Sequence, residues 1–277
     1  MFQYAFGRYL SHRHKTPLLL DPVFYGSQTM RSFDLDVFNI QAEMAGEKQR
    51  ALFELPPDPS FLAKLSFRLR RLFRNYPFVI EKQFSFSPEL LEVPASAYVE
   101  GYFQTEKYFS SIKALIKNDF TFRVPMDARN AAMHGRITGS DSVSVHIRRG
   151  DYVSNPYTNT IHGTCSIDYY RDAIAHIRSK VENPSFFIFS DDIEWAKQHL
   201  LPGEKAEFID FNTGEKSYED LRLMSSCRHN IIANSSFSWW GAWLNGNENK
   251  IVIAPQKWFN DPSKDTRDLI PETWLRI

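Results

Sequence analysis

The chain has 277 residues, of which 43% are hydrophobic and 15% aromatic, which is enough for packed cores in two domains of ordinary size. Its 33 lysines and arginines equal its 33 aspartates and glutamates, so the formal net charge is zero. A balanced charge creates no overall field that attracts nucleic acid, and any anion binding must come from local clusters. The composition excludes a general polyanion-binding protein and favours a globular protein with a small or locally charged ligand.

Cysteine usage and the chain's first residues bear on the cellular compartment. Cys165 and Cys227 lie far apart in sequence, which argues against a disulfide framework and against a structural zinc site. No apolar run reaches the roughly 18 to 20 residues of a membrane span, and the opening stretch MFQYAFGRYLSHRHK lacks the order of a signal peptide. We therefore expect a cytoplasmic protein.

Residues 1–125 are predicted to form a first domain, a mixture of helices and strands rich in aromatic residues. Within it, the stretch from Phe61 to Phe78 carries five basic residues, no acid and apolar residues at helical spacing. Two interpretations remain open: a core-facing helix with a solvated basic side, or a helix in peripheral contact with an anionic membrane on its inner face. Asp34 and Asp36 have D-x-D spacing, which arises often by chance, and we expect no metal there.

Residues 126–277 are predicted to form a second domain with a regular pattern. Apolar strands alternate with helices about 10 to 15 residues long, which is typical of a parallel, doubly wound sheet. The predicted strands are SVSVHI, SFFIFS, AEFIDF, NIIAN and KIVIAP, and the intervening helices are SIDYYRDAIAHIRSKV, DIEWAKQHL, SYEDLRLMSSC and SFSWWGAWLNG.

Three polar segments directly follow predicted strands of this second domain. In a doubly wound sheet, ligands bind outside the carboxyl ends of the strands, so the three segments are expected to face one crevice. They are HIRRGDY from His146, FSDDIEW with Asp191 and Asp192, and ANSSFSWWGAW with Asn234 to Ser238.

The side chains of these segments suit a nucleoside diphosphate. Arginine forms bidentate, charge-assisted bonds to phosphate oxygens, and a serine-rich turn that opens a helix offers N–H groups and hydroxyls. The acidic pair suits sugar hydroxyls or the donor edge of a guanine. Each segment also has a simpler interpretation: a surface ion pair for RRGD, a helix N-cap for SDD and for the serines, and core packing for Trp239, Trp240 and Trp243.

Together, the ordered strings HIRRGDY, FIFSDDIEWAKQHL and LMSSCRHNIIANSSFSWWGAWL resemble the inverting alpha-1,2-fucosyltransferase family, typical of bacteria. The resemblance runs from the first residues to about Pro255. It implies two facing Rossmann-like domains of GT-B type, with acceptor binding by residues 1–125 and GDP-fucose binding by residues 126–277. It also implies an alpha-1,2 linkage to a galactose-type hydroxyl of an oligosaccharide or lipid-linked glycan, with no metal or other cofactor.

The same resemblance assigns roles to individual residues. Arg148 would contact the departing β-phosphate, supported by His146 and Arg149. Inversion requires the acceptor hydroxyl to attack opposite the leaving group, and Asp151 and His162 are the candidate bases. The remaining donor-binding residues implied are Asp191 or Asp192 for the nucleoside, and Asn234, Ser235, Ser236 and Phe237 for phosphate and base.

The N-terminus differs from the family pattern. The family pattern that this sequence resembles begins with a strand and a G-G-L-G-N-Q turn, followed by M-F-Q-Y-A-x-G. This sequence opens at the last of these stretches, Met1 to Gly7. We expect an N-terminal domain that lacks its first strand. Two explanations remain open, a true start further upstream or an inactive, GDP-sugar-binding remnant, and both predict little activity for this form. A third hypothesis is a nucleotide-dependent hydrolase or kinase, but the sequence lacks the P-loop motif G-x-x-x-x-G-K-[ST] that would bind a triphosphate.

Overall fold

The computed structural model describes residues 1–26, 32–53, 60–62, 76–200 and 206–277. The chain divides into two compact units: residues 1–123 with 267–269, and residues 124–266 with 270–277. Most of the basic stretch from Phe61 to Phe78 lies outside the described residues, so its predicted helix and membrane contact stay predictions.

The first unit has short strands that pair in twos and a core made largely of aromatic rings. Strands β1 and β2 pair in parallel, as do β3 and β4. Phe6 packs against Phe103 and Tyr108, with ring centroids 4.4 and 5.0 Å away. The described elements are α1 (Phe2–His14), β1 (Leu19–Leu20), α2 (Val23–Gly26), β2 (Glu43–Met44), α3 (Glu47–Arg50), β3 (Phe78–Ile80), β4 (Tyr98–Glu100) and α4 (Lys113–Asp119).

The second unit contains a parallel sheet among its described residues, as the alternating pattern predicts, but with six strands, because the C-terminal residues Leu275–Arg276 add an edge strand to the five predicted ones. The order of its strands is β10-β9-β8-β5-β6-β7. Its elements are α5 (Ala128–Thr138), β5 (Asp141–Ile147), α6 (Gly150–Ser154), α7 (Pro156–His162), α8 (Ile167–Lys180), β6 (Pro184–Ser190), α9 (Ile193–His199), β7 (Glu207–Ile209), α10 (Ser217–Ser226), β8 (His229–Ile231), α11 (Ser236–Leu244), β9 (Val252–Ala254) and β10 (Leu275–Arg276).

The strand order locates the crevice of this sheet. From β5 the chain builds outward through β6 and β7, then returns to the other side of β5 and continues through β8, β9 and β10. The winding direction therefore reverses between β5 and β8, and ligands in doubly wound sheets bind outside the carboxyl ends of the strands at such a point. The segments that follow β5 and β8 both lie at this switch point.

The central strand β5 is buried on both faces although it contains polar residues. Ser144 Oγ accepts a hydrogen bond of 2.7 Å from Asn230 Nδ2, and Ser142 Oγ accepts one of 3.1 Å from the backbone N–H of Arg228. Buried hydroxyls with such partners avoid the cost of desolvation without a hydrogen bond. These bonds join β5 to β8 beneath the crevice.

The tryptophans of α11 belong to the core, which confirms the packing interpretation for them. Trp239, Trp240 and Trp243 are all at most 2% exposed, and their rings contact one another. Burial of three indoles anchors α11, because each aromatic side chain removes a large apolar area from water. The N-terminus of α11 is thereby held at the end of β8.

Candidate active site

Arg148 is the centre of an ion-pair network at the carboxyl end of β5. Its Nη2 lies 2.5 Å from Asp151 Oδ1, and its Nη1 lies 2.8 Å from Asp191 Oδ2. Asp191 follows β6, and the neighbouring register pairs Ile147 with Ser190, so the two strands end side by side. The local ion pair between Arg148 and Asp151 thus forms as the simpler interpretation predicts, but a carboxylate from a second strand joins it.

Arg149 extends the network in a different direction from Arg148. Its backbone N–H donates a 2.8 Å hydrogen bond to Asp191 Oδ1, while its Nε donates one of 3.2 Å to Asp192 Oδ2. Its guanidinium lies over the ring of Trp195, 4.0 Å from the centroid, which is favourable cation–π geometry. Trp195 was not singled out from the sequence, although it lies in the FSDDIEW segment.

We call Arg148, Arg149, Asp151, Asp191 and Asp192 the arginine–aspartate cluster. At neutral pH its formal charges are two positive and three negative, so the cluster as a whole is not a preformed anion site. Asp192 also caps α9, because Oδ1 accepts a 3.3 Å hydrogen bond from the N–H of Trp195, as the N-cap interpretation predicts. Asp191 makes no such cap and contacts the arginines instead.

Gly150 leaves room for the Asp191 side chain beside the residues that follow β5. A Cβ atom at residue 150 would lie 3.1 Å from Asp191 Cγ and 2.6 Å from Asp191 Oδ2, and the second distance is closer than non-bonded atoms tolerate. A side chain there would displace the carboxylate that joins Arg148 to β6. The requirement for glycine is therefore steric and comes from the cluster.

His146 lies inside the sheet, just before the cluster. It is 6% exposed, its ring centroid lies 5.7 Å from that of Phe237, and its Nδ1 has no hydrogen-bond partner among the described residues. Burial, and secondarily the charge of Arg148, lower the pKa of His146 from 6.5 to about 3. The imidazole is therefore neutral at physiological pH, and any support for a phosphate comes without a positive charge.

The neutral, buried His146 should make the protein sensitive to acid. Between about pH 3 and 6.5 the unfolded chain binds a proton that the folded chain does not. Above about pH 6.5 the histidine is neutral in both states and does not reduce the stability of the fold. As the pH drops through this window, the free energy of unfolding falls by up to about 1.4 kcal/mol per pH unit. We expect His146→Gln to flatten the pH dependence of the urea-unfolding free energy there, whereas a change at the exposed His12 to Gln leaves it unaltered. Equal acid slopes in all three proteins would contradict this assignment.

The segment after β8 contains a buried anchor, Asn234, followed by the N-terminus of α11. Ser235 occupies the N-cap position of α11, but its side chain makes no capping hydrogen bond, and Ser236 is exposed. The serine side chain at the N-cap position therefore does not cap α11, contrary to the simpler interpretation of these serines. Phe237 places its ring beside that of His146.

Asn234 is the buried anchor of this segment. Its Nδ2 donates to the backbone carbonyls of His162, Gly163 and Trp258, at 2.9, 3.1 and 3.1 Å. Its Oδ1 lies 3.5 Å from the Sγ of Cys165, whose thiol has a pKa raised to about 11 by burial. The side-chain amide therefore ties the end of α7 to the sheet, and a direct contact with a donor stays a prediction.

Removal of the Asn234 amide should destabilise the fold. Asn234→Ala leaves buried carbonyls without their donor, and we expect the free energy of unfolding in urea to fall by about 1 to 3 kcal/mol. The matched control is Asn249→Ala, because this asparagine is exposed, and a change below about 0.5 kcal/mol is expected. The same small loss in both variants would show that the Asn234 bonds contribute little.

His162 lies at the end of α7, next to Tyr152. Its ring stacks on that of Tyr152 with centroids 4.8 Å apart and planes 15° apart, and Arg148 Cζ lies 5.3 Å from the Tyr152 centroid. Of the two candidate bases, Asp151 forms an ion pair with Arg148, and His162 stacks on the tyrosine beside that arginine. Tyr152 was missed as a site residue, although it ends the HIRRGDY motif.

Comparison with known proteins agrees with the motifs at this site. The model of Glycosyl transferase family 11 matches residues 69–277. An Alpha-1,2-colitosyltransferase of Escherichia coli is 37% identical over all of this chain and 94% of its own length. The O-antigen biosynthesis glycosyltransferase WbnK of Escherichia coli is 32% identical over all of this chain and 96% of its own. A Galactoside 2-alpha-L-fucosyltransferase SEC1 of Bos taurus is 28% identical over 53% of this chain and 41% of its own.

The family model covers three quarters of the chain, and two relatives above 30% identity align with all of it. The matched residues include the whole switch-point crevice with its arginine–aspartate cluster. The chain belongs to glycosyltransferase family 11 and is a glycosyltransferase.

Proposed function

We propose that this protein transfers fucose from GDP-fucose to a galactose-type hydroxyl of a glycan acceptor, forming an alpha-1,2 linkage with inversion. The observation that carries the proposal is that Arg148 and Arg149 follow β5 and α11 follows β8, the two strands of the switch point, while the Ser235 side chain makes no capping hydrogen bond to α11. The relatives' names support the linkage and offer two sugars, colitose and fucose. The two-domain GT-B arrangement, with residues 1–125 on the acceptor side, is part of this proposal.

Charge development explains why guanidiniums suit this reaction. When the bond between the anomeric carbon and the phosphate breaks, GDP gains negative charge and the sugar becomes oxocarbenium-like. Donors held rigidly at the leaving phosphate stabilise that change, and this electrostatic effect is usually the largest in catalysis. Arg148 would bind the β-phosphate, and Ser235, Ser236 and the N–H groups of α11 would bind the diphosphate from the other strand.

Phosphate binding would also rearrange the arginine–aspartate cluster. Because Arg148 already contacts two carboxylates, a phosphate that takes its guanidinium competes with Asp151 and Asp191. Asp151, released from Arg148 when the donor binds, and His162 are the two candidate bases for the acceptor hydroxyl.

We further propose that transfer needs no metal ion, because two guanidiniums supply positive charge at the phosphate. Activity should persist in excess EDTA. A loss of activity that manganese or magnesium restores would overturn this part of the proposal.

The proposal is tested by assaying labelled GDP-fucose and GDP-colitose separately with oligosaccharides that end in galactose. An acceptor whose terminal galactose lacks its 2-hydroxyl is the matched control, and it should give no product. Product from GDP-colitose alone would favour the second candidate, a colitosyltransferase, which the 37% identical relative supports. GDP binding without any product would indicate the inactive remnant, and no GDP binding would contradict the proposal.

Peripheral membrane contact would suit a lipid-linked acceptor, but the stretch from Phe61 to Phe78 is mostly outside the described residues. No helix within the described ranges is both long and apolar enough to cross a bilayer. Liposome flotation tests the contact: binding to anionic vesicles and not to neutral ones supports it. Failure to bind either would remove it, and with it the proposed location at the inner face of the membrane.

A further inference from the structure

A strained turn follows strand β4 in the first unit. Phe103 has a φ of +50°, one of two positive φ values at non-glycine positions among the described residues. Bulky residues rarely adopt this region, and holding one there costs on the order of 1 kcal/mol or more. Strain of this kind persists only where the surroundings fix the backbone, and it is concentrated at binding and catalytic sites.

The turn is fixed from two sides. The Glu81 carboxylate accepts hydrogen bonds from the backbone N–H groups of Tyr102 at 2.7 Å and Phe103 at 3.1 Å. Gln3 Nε2 donates to the carbonyl of Gly101 at 2.9 Å. Gly101 is sterically required, since a Cβ atom there would lie 2.5 Å from Glu81 Cβ. Two side chains distant in sequence thus hold one three-residue turn.

This turn leaves the side chain of Tyr102 exposed to solvent. Phe103 is only 1% exposed and packs in the aromatic core, whereas the preceding Tyr102 is 66% exposed. The turn also lies at the carboxyl end of the parallel pair β3 and β4, where Ile80 pairs with Glu100. The exposed ring of Tyr102 is therefore carried by a strained turn whose backbone Glu81 and Gln3 fix.

We infer that the Tyr102 ring is a stacking platform for a sugar ring of the acceptor glycan. The inference rests on the proposed function, which requires a galactose-terminated acceptor. One face of galactose is a patch of C–H groups that packs on an aromatic ring, and its hydroxyls need planar polar partners. Gln3 and Glu81 hold the backbone of the turn through their hydrogen bonds, so the ring of Tyr102 is the group of this turn that is offered to a ligand.

Kinetics with Tyr102→Ala and Tyr102→Phe test the platform. We expect the alanine variant to raise the acceptor KM by about 10-fold with a smaller change in kcat, because this variant loses the aromatic contact with the sugar. The phenylalanine variant keeps the ring and should stay within about twofold of the wild type. Met44→Ala is the control for loss of an exposed apolar side chain in the same unit, and its KM should not change.

Donor chemistry separates this inference from the proposed function. Hydrolysis of GDP-fucose without acceptor, and GDP affinity, should be equal in the wild type and in Tyr102→Ala. An unchanged acceptor KM in Tyr102→Ala, with normal donor hydrolysis, would overturn the platform. An equal rise in KM for Tyr102→Ala and Tyr102→Phe would assign the effect to the hydroxyl and would also overturn stacking. A wild type that neither binds nor hydrolyses the donor would refute the proposed function instead.

Discussion

Arg148→Lys and Arg148→Ala should both lower kcat/KM for transfer by about 100- to 1,000-fold, the range found when one donor to a developing negative charge is removed. Lysine keeps the positive charge but loses the planar fork. In the structure that fork contacts two carboxylates at once, with Nη2 on Asp151 and Nη1 on Asp191. The proposed bidentate contact with the phosphate needs the same fork, which a single ammonium cannot replace, so the lysine variant should be nearly as impaired as the alanine variant.

The control for this prediction is Arg171→Lys on α8. Arg171 also pairs with an aspartate, Asp168 at 3.3 Å, but this pair is exposed and belongs to none of the three polar segments that follow the strands. Exposed pairs contribute little, and turnover should be unchanged. Near-normal turnover in Arg148→Lys would show that a point charge suffices and that the planar fork of Arg148 is not needed.

Gly150→Ala should lower kcat/KM by about 100-fold, because displacement of Asp191 would shift the guanidinium of Arg148 that it contacts, and misplacing a catalytic group by about 1 Å has about this effect. The added Cβ would meet Asp191 Oδ2 at 2.6 Å, so the carboxylate must move away from Arg148 and from the N–H of Arg149. The steady-state rate with saturating acceptor, together with GDP affinity, measures the effect.

Gly135→Ala is the matched control for the glycine substitution. Gly135 lies within α5, and a Cβ atom there would have no neighbour within 4 Å. The substitution should preserve activity and stabilise the protein by about 0.5 to 1 kcal/mol, because alanine favours the helix. If both variants behave alike, the close approach of residue 150 and Asp191 has no role in the reaction.

The sequence predicts the doubly wound sheet and the meeting of its three polar segments because both follow from local patterns. Strands and helices alternate regularly after residue 126, and carboxyl ends of parallel strands share one edge. The rule therefore brings Arg149 and Asp191 together although 42 residues separate them. The same reasoning recovers the ion pair with Asp151 and the capping of α9 by Asp192.

Properties that depend on three-dimensional surroundings could not be read from the pattern. The family resemblance implies that His146 supports the phosphate, but the pKa of its imidazole depends on burial by neighbouring elements. Asn234 fits a phosphate turn by position, yet its amide is taken up by carbonyls about 24 to 72 residues away. The strain at Phe103 arises from Glu81, and no local signal marks a positive φ at a phenylalanine. The roles of Trp195 and Tyr152 likewise appear only when the arginines have been placed.

The central claim is that the crevice between β5 and β8 binds the diphosphate of a GDP-sugar through Arg148. Calorimetric titration of the wild type and of Arg148→Ala with GDP and with guanosine, which lacks the phosphates, tests it most directly. We predict that GDP binds the wild type much more tightly than guanosine does, and that Arg148→Ala weakens GDP by about 10- to 100-fold without affecting guanosine, since charge-assisted bonds contribute about 1.5 to 3 kcal/mol. Equal GDP affinity in the two proteins would contradict the account.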